Sequence, residues 1–249
     1  MPLDDLDRRP WPPPPGPWVM TQTWTNLLFA HWPVSAETLR ALVPAELELD
    51  TYAGQPWVGV VPFAMSRVYP RGTFPVPWLS RFLEMNVRTY VTLGGKPGVY
   101  FFSLDAANSA AVALARRFFR LPYYHARMRL KERAGWIQYR SYRIHPGAPP
   151  AEFEARYRPT GEAYASQPGS LESWLTDRYC LYTVAPRGGV YRGEIHHAHW
   201  PLQPAEAEIT ANTVALASGL RLPATAPILH FARHLKTYEW LIRRVDRAS

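Results

Sequence analysis

The sequence predicts an α+β fold that is mainly β, with a few short helices packed outside the strands. Three observations support this prediction. Polar and apolar residues alternate with the two-residue period of a β-strand, most clearly over 82–92. Glycine-rich turns, such as the one at 94–98, separate consecutive alternating segments as β-hairpin turns do. Helical spacing with a capping residue occurs only in short stretches.

Length and proline content set the domain organisation. A chain of 249 residues is either one large β-rich domain or two small ones, and no linker-like stretch divides it internally. Residues 1–18 hold six prolines between 10 and 17, which exclude a helix or an inner strand, so this segment is predicted to be extended. Trp11 and Trp18 are expected to pin it to the surface.

The individual elements follow from alternation, caps and turns. Ser35, either Asn108 or Ser109, and Ser170 are the predicted helix N-caps. A looser region rich in Pro and Ala runs up to Pro168, and the stretch 228–240 is open to a helical interpretation as well. The predicted elements are strands at 21–32, 47–52, 57–65, 82–92, 99–105, 124–131, 136–144, 179–185, 190–197, 205–217 and 227–240, helices after the three caps, and a hairpin turn at 187–189.

Composition excludes several classes of protein. With 47% hydrophobic and 14% aromatic residues the chain can form a core and is not disordered. The single cysteine, Cys180, cannot form an internal disulfide, and no leader pattern opens the chain, so an intracellular, cytoplasmic location is expected. Apolar runs are too short to span a membrane, and no membrane partner is expected.

The net charge of +8 comes almost entirely from arginine, because only Lys96, Lys131 and Lys236 are lysines among 28 basic residues. Arginine forks bind carboxylates and phosphates, which would suit an acidic ligand or a nucleic acid. The arginines are nevertheless scattered among acidic residues, without a basic helix or a lysine-rich tail. No nucleic-acid partner is therefore expected.

The most informative segment is 82–91, where Glu84, Asn86, Arg88 and Tyr90 share one strand face. An arginine fork can anchor an anion, and a partly buried glutamate can act as acid or base. A solvated sheet face with cross-strand ion pairs would give the same pattern, and this alternative stays open. Two further polar strands, predicted at 99–105 and 136–144, supply the candidate ligand-binding residues Tyr100, Tyr139 and Arg143.

Other catalytic signatures are absent from the sequence or weak. Nucleophile-elbow, P-loop and dinucleotide-binding motifs do not occur, and no cofactor is predicted. In the segment 194–199, Glu194 and His196 share one strand face and His197 and His199 share the other, and two histidines at that spacing could bind one metal ion. No third ligand has a telling spacing, so stacking and hydrogen bonding are favoured. No metal site is therefore predicted at His196, His197 or His199. Cys180 lies in an apolar run, where inert packing is expected.

The chain from about Trp18 to Trp240 resembles the uncharacterised YqjF-like family, also called DUF2071. The resemblance covers most of the chain and rests on six motifs taken together. These are Leu28 to Val34 (LFAHWPV), Glu84 to Val91 (EMNVRTYV), Gly98 to Asp105 (GVYFFSLD), Leu121 to Tyr124 (LPYY), Gly169 to Glu172 (GSLE) and Arg178 to Tyr182 (RYCLY).

This family is similar in fold to acetoacetate decarboxylase, which implies a closed β-barrel-like core over 19–249, a central cavity and a few peripheral helices. In the decarboxylase a Pro-Lys-Lys segment supplies the Schiff-base lysine. The resemblance places Pro122 and Tyr123 in that segment and makes Glu84 the counterpart of a cavity glutamate. Tyrosine cannot form an imine, so the pocket is expected to remain and the decarboxylase chemistry to be lost.

Two hypotheses follow for the function. The first is an enzyme that acts without a lysine on a small acidic or carbonyl-bearing molecule, with Glu84 and Tyr123 as catalytic residues. The second is a non-catalytic protein that binds such a molecule in the same cavity. In both, Arg88, Asn86, Tyr100, Tyr139 and Arg143 are the predicted ligand-binding residues. The sequence leaves the oligomeric state open, and a homo-oligomer is compatible with it.

Overall fold

The structure is a computed structural model that describes residues 5–7, 9–185 and 188–245. Within these residues the chain is mainly β, with three short α-helices and one 3₁₀ turn at 216–218. The strands are β1 (Met20–Pro33), β2 (Glu48–Leu49), β3 (Trp57–Pro70), β4 (Phe82–Leu93), β5 (Lys96–Ala106), β6 (Tyr123–Arg133), β7 (Trp136–Arg143), β8 (Glu152–Pro159), β9 (Cys180–Val184), β10 (Val190–His197), β11 (Leu202–Asn212), β12 (Ile228–Glu239) and β13 (Arg243–Val245); the helices are α1 (Ala36–Arg40), α2 (Ser109–Phe118) and α3 (Leu171–Thr176).

The strands close into two rings that share a wall. A nine-strand barrel follows the order β5-β6-β7-β8-β11-β12-β1-β3-β4 and closes where β4 pairs with β5. A second ring of seven strands uses β4, β3 and β1 again and closes through β12, β10, β9 and β5. Strands β5 and β12 branch, since different parts of each pair with different rings. This closed β-barrel architecture confirms the predicted fold class.

The shared wall is buried on both faces. On β4, Met85 and Val87 belong to the core cluster that includes Tyr139 and Phe153, inside the nine-strand barrel. The opposite face of the same strand carries Glu84, which is only 4% exposed and points into the seven-strand ring. The predicted polar face is therefore buried, and the alternative of a solvated sheet face does not describe this strand.

The predicted caps agree with the structure. Ser35, Asn108 and Ser170 each accept a hydrogen bond from a backbone N–H in the first turn of their helix. The stretch Ile228–Glu239 is a strand rather than a helix, because it pairs with β1 over most of its length. The turn predicted at 187–189 lies partly outside the described residues.

The prediction of a looser region up to Pro168 was wrong for Glu152–Pro159, which forms β8. The flanking prolines at 149, 150 and 159 obscured a clear alternation, in which Phe153, Ala155 and Tyr157 point into the barrel. The strand predicted over 205–217 also differs, since it starts at Leu202 and ends at Asn212, before the 3₁₀ turn.

The N-terminal segment packs along the seven-strand ring through its aromatic and basic residues. Trp18 contacts Tyr238 with ring centroids 5.3 Å apart, and the Trp11 indole N–H donates to Glu194 over 2.8 Å. The Trp240 indole donates to the carbonyl of Gly16. Within the described residues, no helix combines the length and apolar character that crossing a membrane requires.

Candidate functional site

The seven-strand ring encloses a cavity of about 310 Å³. Every strand of that ring contributes to its wall, and apolar residues of α2 close one side. Leu114 of α2 lies at the mouth, because it lines the cavity and is also 47% exposed. Four of the predicted site residues line this cavity: Glu84, Asn86, Arg88 and Tyr123.

Glu84 and Tyr123 meet at one end of the cavity. The parallel pairing of β6 with β5 sets Tyr123 beside Leu104, which is itself paired with Asn86 of β4. The Tyr123 hydroxyl then donates a 2.8 Å hydrogen bond to Glu84 Oε2. Burial raises the pKa of Glu84 from 4.5 to about 8, and this hydrogen bond only partly offsets the rise. Glu84 therefore holds its proton through much of the neutral range.

A second carboxyl group, Glu239 of β12, lies at the same end. Its Oε1 accepts a 2.6 Å hydrogen bond from the Thr237 hydroxyl, whereas its buried Oε2 has no hydrogen-bond partner among the described residues. Burial, with a contribution from the charge of Glu84, raises its pKa to about 8. The charge of Glu84 thus disfavours the ionisation of Glu239.

Arg88 lies toward the opposite end of the cavity and is 8% exposed. Its guanidinium sits 5.2 Å from the centroid of Phe29, and Nη2 makes one long hydrogen bond of 3.4 Å to the carbonyl of Leu175. Its buried Nε has no hydrogen-bond partner, and among the described residues no carboxylate pairs with it. A buried cation of this kind favours an anion in the space that it faces.

Arg178 adds a second guanidinium to the cavity wall. It pairs with Asp50 over 2.5 Å and donates to the carbonyl of Trp174, but its buried Nη2 has no hydrogen-bond partner among the described residues. Burial lowers its pKa, and the Asp50 carboxylate opposes that change. Among the described residues Asp50 is thus the only carboxylate that pairs with either arginine, and Nε of Arg88 and Nη2 of Arg178 are buried without a hydrogen-bond partner.

The acidic and cationic ends do not neutralise each other. Glu84 and Arg88 are four residues apart on one strand, which places their Cα atoms about 13 Å apart. The Arg88 guanidinium extends toward Phe29 and Tyr90, 5.9 Å from the centroid of the latter ring, and so away from Glu84. Asn86 lies between them on the same wall, and its buried Oδ1 has no hydrogen-bond partner among the described residues.

Three other predicted ligand-binding residues lie away from the cavity wall. Tyr139 is inside the nine-strand barrel, where its hydroxyl donates over 2.7 Å to the backbone carbonyl of Glu84. Arg143 forms a buried ion pair with Asp105 at 2.8 Å. Tyr100 packs edge-on against Phe102. Strand alternation identified polar faces correctly but could not indicate which of two interiors each face would meet.

The histidines near the end of β10 are engaged in stacking and hydrogen bonding. His197 stacks on Tyr179 with ring centroids 4.7 Å apart and contacts the carbonyl of Ala198, while burial lowers its pKa to about 4. His199 faces Asp5 at 3.2 Å. Among the described residues, no group of three or more His, Cys, Asp or Glu side chains is arranged to hold a metal ion. Absence of a bound metal stays a prediction.

Comparison with known proteins places this chain in a family. The model of the DUF2071 family, described as uncharacterised conserved proteins, matches residues 21–236. The chain belongs to the DUF2071 family. It is also 47% identical to the uncharacterised protein YqjF of Bacillus subtilis (strain 168) over 231 residues, which cover 93% of this chain and 94% of YqjF.

Solved structures with the same fold are acetoacetate decarboxylase-like. An acetoacetate decarboxylase from Legionella pneumophila superposes with a TM-score of 0.62 at 16% identity, covering 99% of this chain and 97% of that one. The enduracididine biosynthesis enzyme MppR, in complex with the condensation product of pyruvate and imidazole 4-carboxaldehyde, superposes with a TM-score of 0.66 at 10% identity, covering 94% and 92%. At these identities the likeness establishes the fold alone.

We expect no Schiff base to form on this protein. Among the described residues the cavity wall contains no lysine: Lys131 and Lys236 are exposed, and Lys96 lies beside Trp11 and Glu194. Incubation with acetoacetate or pyruvate plus borohydride, followed by intact-mass measurement, should give no adduct. A stable adduct that maps to a single lysine would show that the expectation is wrong.

Sequence reasoning missed Glu239 and Arg178. Glu239 lies near the end of a predicted strand (227–240), and Arg178 immediately precedes another (179–185), so neither stood out as part of a polar strand face. Arg178 is nevertheless the first residue of the motif Arg178 to Tyr182 (RYCLY), which supports the family resemblance. The available signal was a charged residue directly before an apolar strand.

Proposed function

We propose that this protein binds a small acidic or carbonyl-bearing compound in the cavity of the seven-strand ring and transforms it without a lysine. Arg88 is the proposed anchor for the ligand's carboxylate, and Asn86 the neighbouring polar contact. Glu84 and Tyr123 are the proposed catalytic residues. The observation that carries the proposal is Arg88, a buried cation in the cavity wall that lacks a carboxylate partner among the described residues.

Energetics support an anionic ligand. A buried charge without a counter-ion is costly, whereas a charge-assisted hydrogen bond to a carboxylate stabilises by about 1.5–3 kcal/mol. Arg88 and Arg178 both line the cavity, so their guanidinium groups can supply such bonds. MppR, which shares the fold, is known in complex with a pyruvate-derived product, and this supports a carbonyl-bearing ligand.

The acidic end supports proton transfer. Because burial raises the pKa of Glu84 to about 8, this residue can donate a proton near neutral pH and accept one after ionisation. The Tyr123 hydroxyl, which now donates to Glu84, holds that carboxyl group in place and can turn to a ligand oxygen. An enolisation, hydration or lyase reaction would use such a pair. On the other side of β4, the Tyr139 hydroxyl donates a hydrogen bond to the backbone carbonyl of Glu84 and so helps to hold this residue in position.

A non-catalytic binding protein is the second candidate. The apolar wall formed by residues such as Phe63, Phe101 and Trp200 favours it, because such walls bind a ligand without acting on it. Turnover would distinguish the two: an enzyme releases an altered product, and a binding protein returns the ligand unchanged.

The test is an Arg88→Leu variant, assayed by calorimetry and by ligand-induced thermal shift against a panel of small carboxylates. We expect binding to weaken by about 1.5–3 kcal/mol, the value of a charge-assisted hydrogen bond. The substitution removes a buried charge and can itself stabilise the apo protein, so the shift that each ligand causes must be compared, not the melting temperature. Arg129→Leu, at an exposed position of β6, is the matched control. Equal ligand responses in wild type and Arg88→Leu would remove Arg88 from the site.

The Glu84→Gln variant tests whether Glu84 is the group whose titration controls turnover or binding. The amide keeps the shape of the carboxyl group but cannot titrate, so the pH dependence of turnover or binding between pH 6 and 9 should flatten. This range follows from the pKa of about 8 for Glu84. An unchanged pH profile would exclude Glu84 as the titrating group.

A further inference from the structure

The cavity has polar groups at both ends and apolar walls between them. Arg88 and Arg178 form the cationic end, and Glu84 and Glu239 form the acidic end. The residues that line the intervening wall are mostly aromatic or aliphatic. They include Leu27, Val61, Phe63, Val99, Phe101 and Leu104.

The separation between the ends is too large for a short oxo acid to contact both. The Cα atoms of Glu84 and Arg88 are about 13 Å apart along β4, and the guanidinium is directed away from Glu84. In an oxo acid such as pyruvate the carboxylate and the carbonyl are on adjacent carbons. Such a ligand could reach one end of the cavity and would leave the rest of its volume to water.

The volume supports a longer ligand. A cavity of about 310 Å³ equals the liquid volume of roughly ten water molecules at about 30 Å³ each, and we count one non-hydrogen ligand atom for each of them. A straight-chain acid of eight carbons has about that number of non-hydrogen atoms. The apolar wall between Val61 and Phe101 would gain most from a hydrocarbon body, because burial of each methylene contributes about 0.8 kcal/mol.

The acidic end selects an uncharged oxygen. Glu84 and Glu239 face the same space, and the charge of one disfavours ionisation of the other. A pair that keeps protons can donate hydrogen bonds to a hydroxyl or carbonyl oxygen. A second carboxylate placed there would lose its hydration without a cationic partner, which costs more than burying a hydroxyl or a carbonyl.

We propose that the ligand is an elongated monocarboxylate of about eight carbon atoms, with its carboxylate at Arg88 and Arg178, its hydrocarbon body along the apolar wall, and an uncharged oxygen at Glu84 and Glu239. This inference rests on the proposed function, because it uses Arg88 as the carboxylate anchor. Within the small acidic or carbonyl-bearing compounds of the proposed function, it selects a longer amphipathic acid over a short oxo acid.

The experiment is a calorimetric titration with straight-chain acids from two to twelve carbons, below their micelle concentrations and at one near-neutral pH. We expect affinity to rise by about fourfold per added methylene, the equivalent of about 0.8 kcal/mol, up to about eight carbons and then to fall. For the eight-carbon chain, a terminal hydroxyl should bind at least tenfold more tightly than a terminal carboxylate. The methyl ester should bind at least tenfold more weakly than the free acid.

Two outcomes separate this inference from the proposed function. If short acids bind in a manner that depends on Arg88 and affinity does not increase with chain length, the elongated ligand is excluded and the carboxylate anchor stands. If affinity rises with chain length equally in wild type and Arg88→Leu, or if no acid binds, both proposals fail. Glu239→Gln supplies a further readout, since it should reduce the preference for the terminal hydroxyl over the terminal carboxylate without weakening the unsubstituted acid.

Discussion

Replacing Glu194 with alanine is expected to lower the free energy of unfolding by about 3–5 kcal/mol, the cost of leaving a buried charge without its partner. The Glu194 carboxylate accepts from Arg9 over 2.6 Å and lies within 3.3 Å of Lys96 and 3.0 Å of Arg192. The Arg9 side chain is only 1% exposed. Without Glu194 it retains one uncharged acceptor, the carbonyl of Ile195.

Denaturant unfolding at pH 7 measures this loss, and Glu132→Ala is the matched control. Glu132 pairs with Arg233 at 3.6 Å with both side chains about half exposed, so its removal should cost at most about 1 kcal/mol. Arg9→Leu should cost less than Glu194→Ala, because Glu194 keeps Lys96 and Arg192 whereas Arg9 loses its carboxylate. A loss for Glu194→Ala no larger than that of the Glu132 control would show that the N-terminal segment contributes nothing through this ion pair.

The sequence predicted the polar face of β4 because alternation is a local property. Glu84, Asn86 and Arg88 had to share one face in any strand, and the structure buries that face in the cavity. The position of Tyr123 beside Glu84 was accessible through the family resemblance, since it depends on the parallel pairing of β5 with β6. Pairing between strands is long-range information that periodicity does not contain.

Because periodicity does not contain strand pairing, the sequence could not show which predicted residues lie away from the cavity or which further residues line it. Tyr139 and Arg143 lie on a strand whose inward face lines the nine-strand barrel, and only the ring closure decides which interior that is. Glu239 reaches the cavity because β12 changes its neighbour from β11 to β10 along its length. The buried Arg9 could not be predicted from a proline-rich segment, because its partner Glu194 is 185 residues away.

The contribution of Glu84 and Glu239 to the stability of the protein should fall as pH rises from 5 to 8. Each has a pKa of about 8 in the folded protein and 4.5 ordinarily. The unfolded chain therefore releases these protons at lower pH than the folded chain does. The stabilisation is complete below pH 4.5 and is lost as pH rises toward 8, at about 1.4 kcal/mol per pH unit for each group.

Glu84→Gln and Glu239→Gln isolate this contribution, because an amide cannot ionise. The difference in unfolding free energy between each variant and wild type should grow in favour of the variant by about 2–3 kcal/mol between pH 5 and pH 7. Buried histidines such as His31 and His197, whose pKa values are lowered by burial, destabilise the protein in acid, but they do so equally in variant and wild type. Glu132→Gln, at an exposed position, is the matched control. A difference for Glu84→Gln that does not change with pH would mean that water in the cavity solvates the ionised carboxylate as fully as bulk water does. In that case the acidic end could not hold a proton for a ligand at neutral pH.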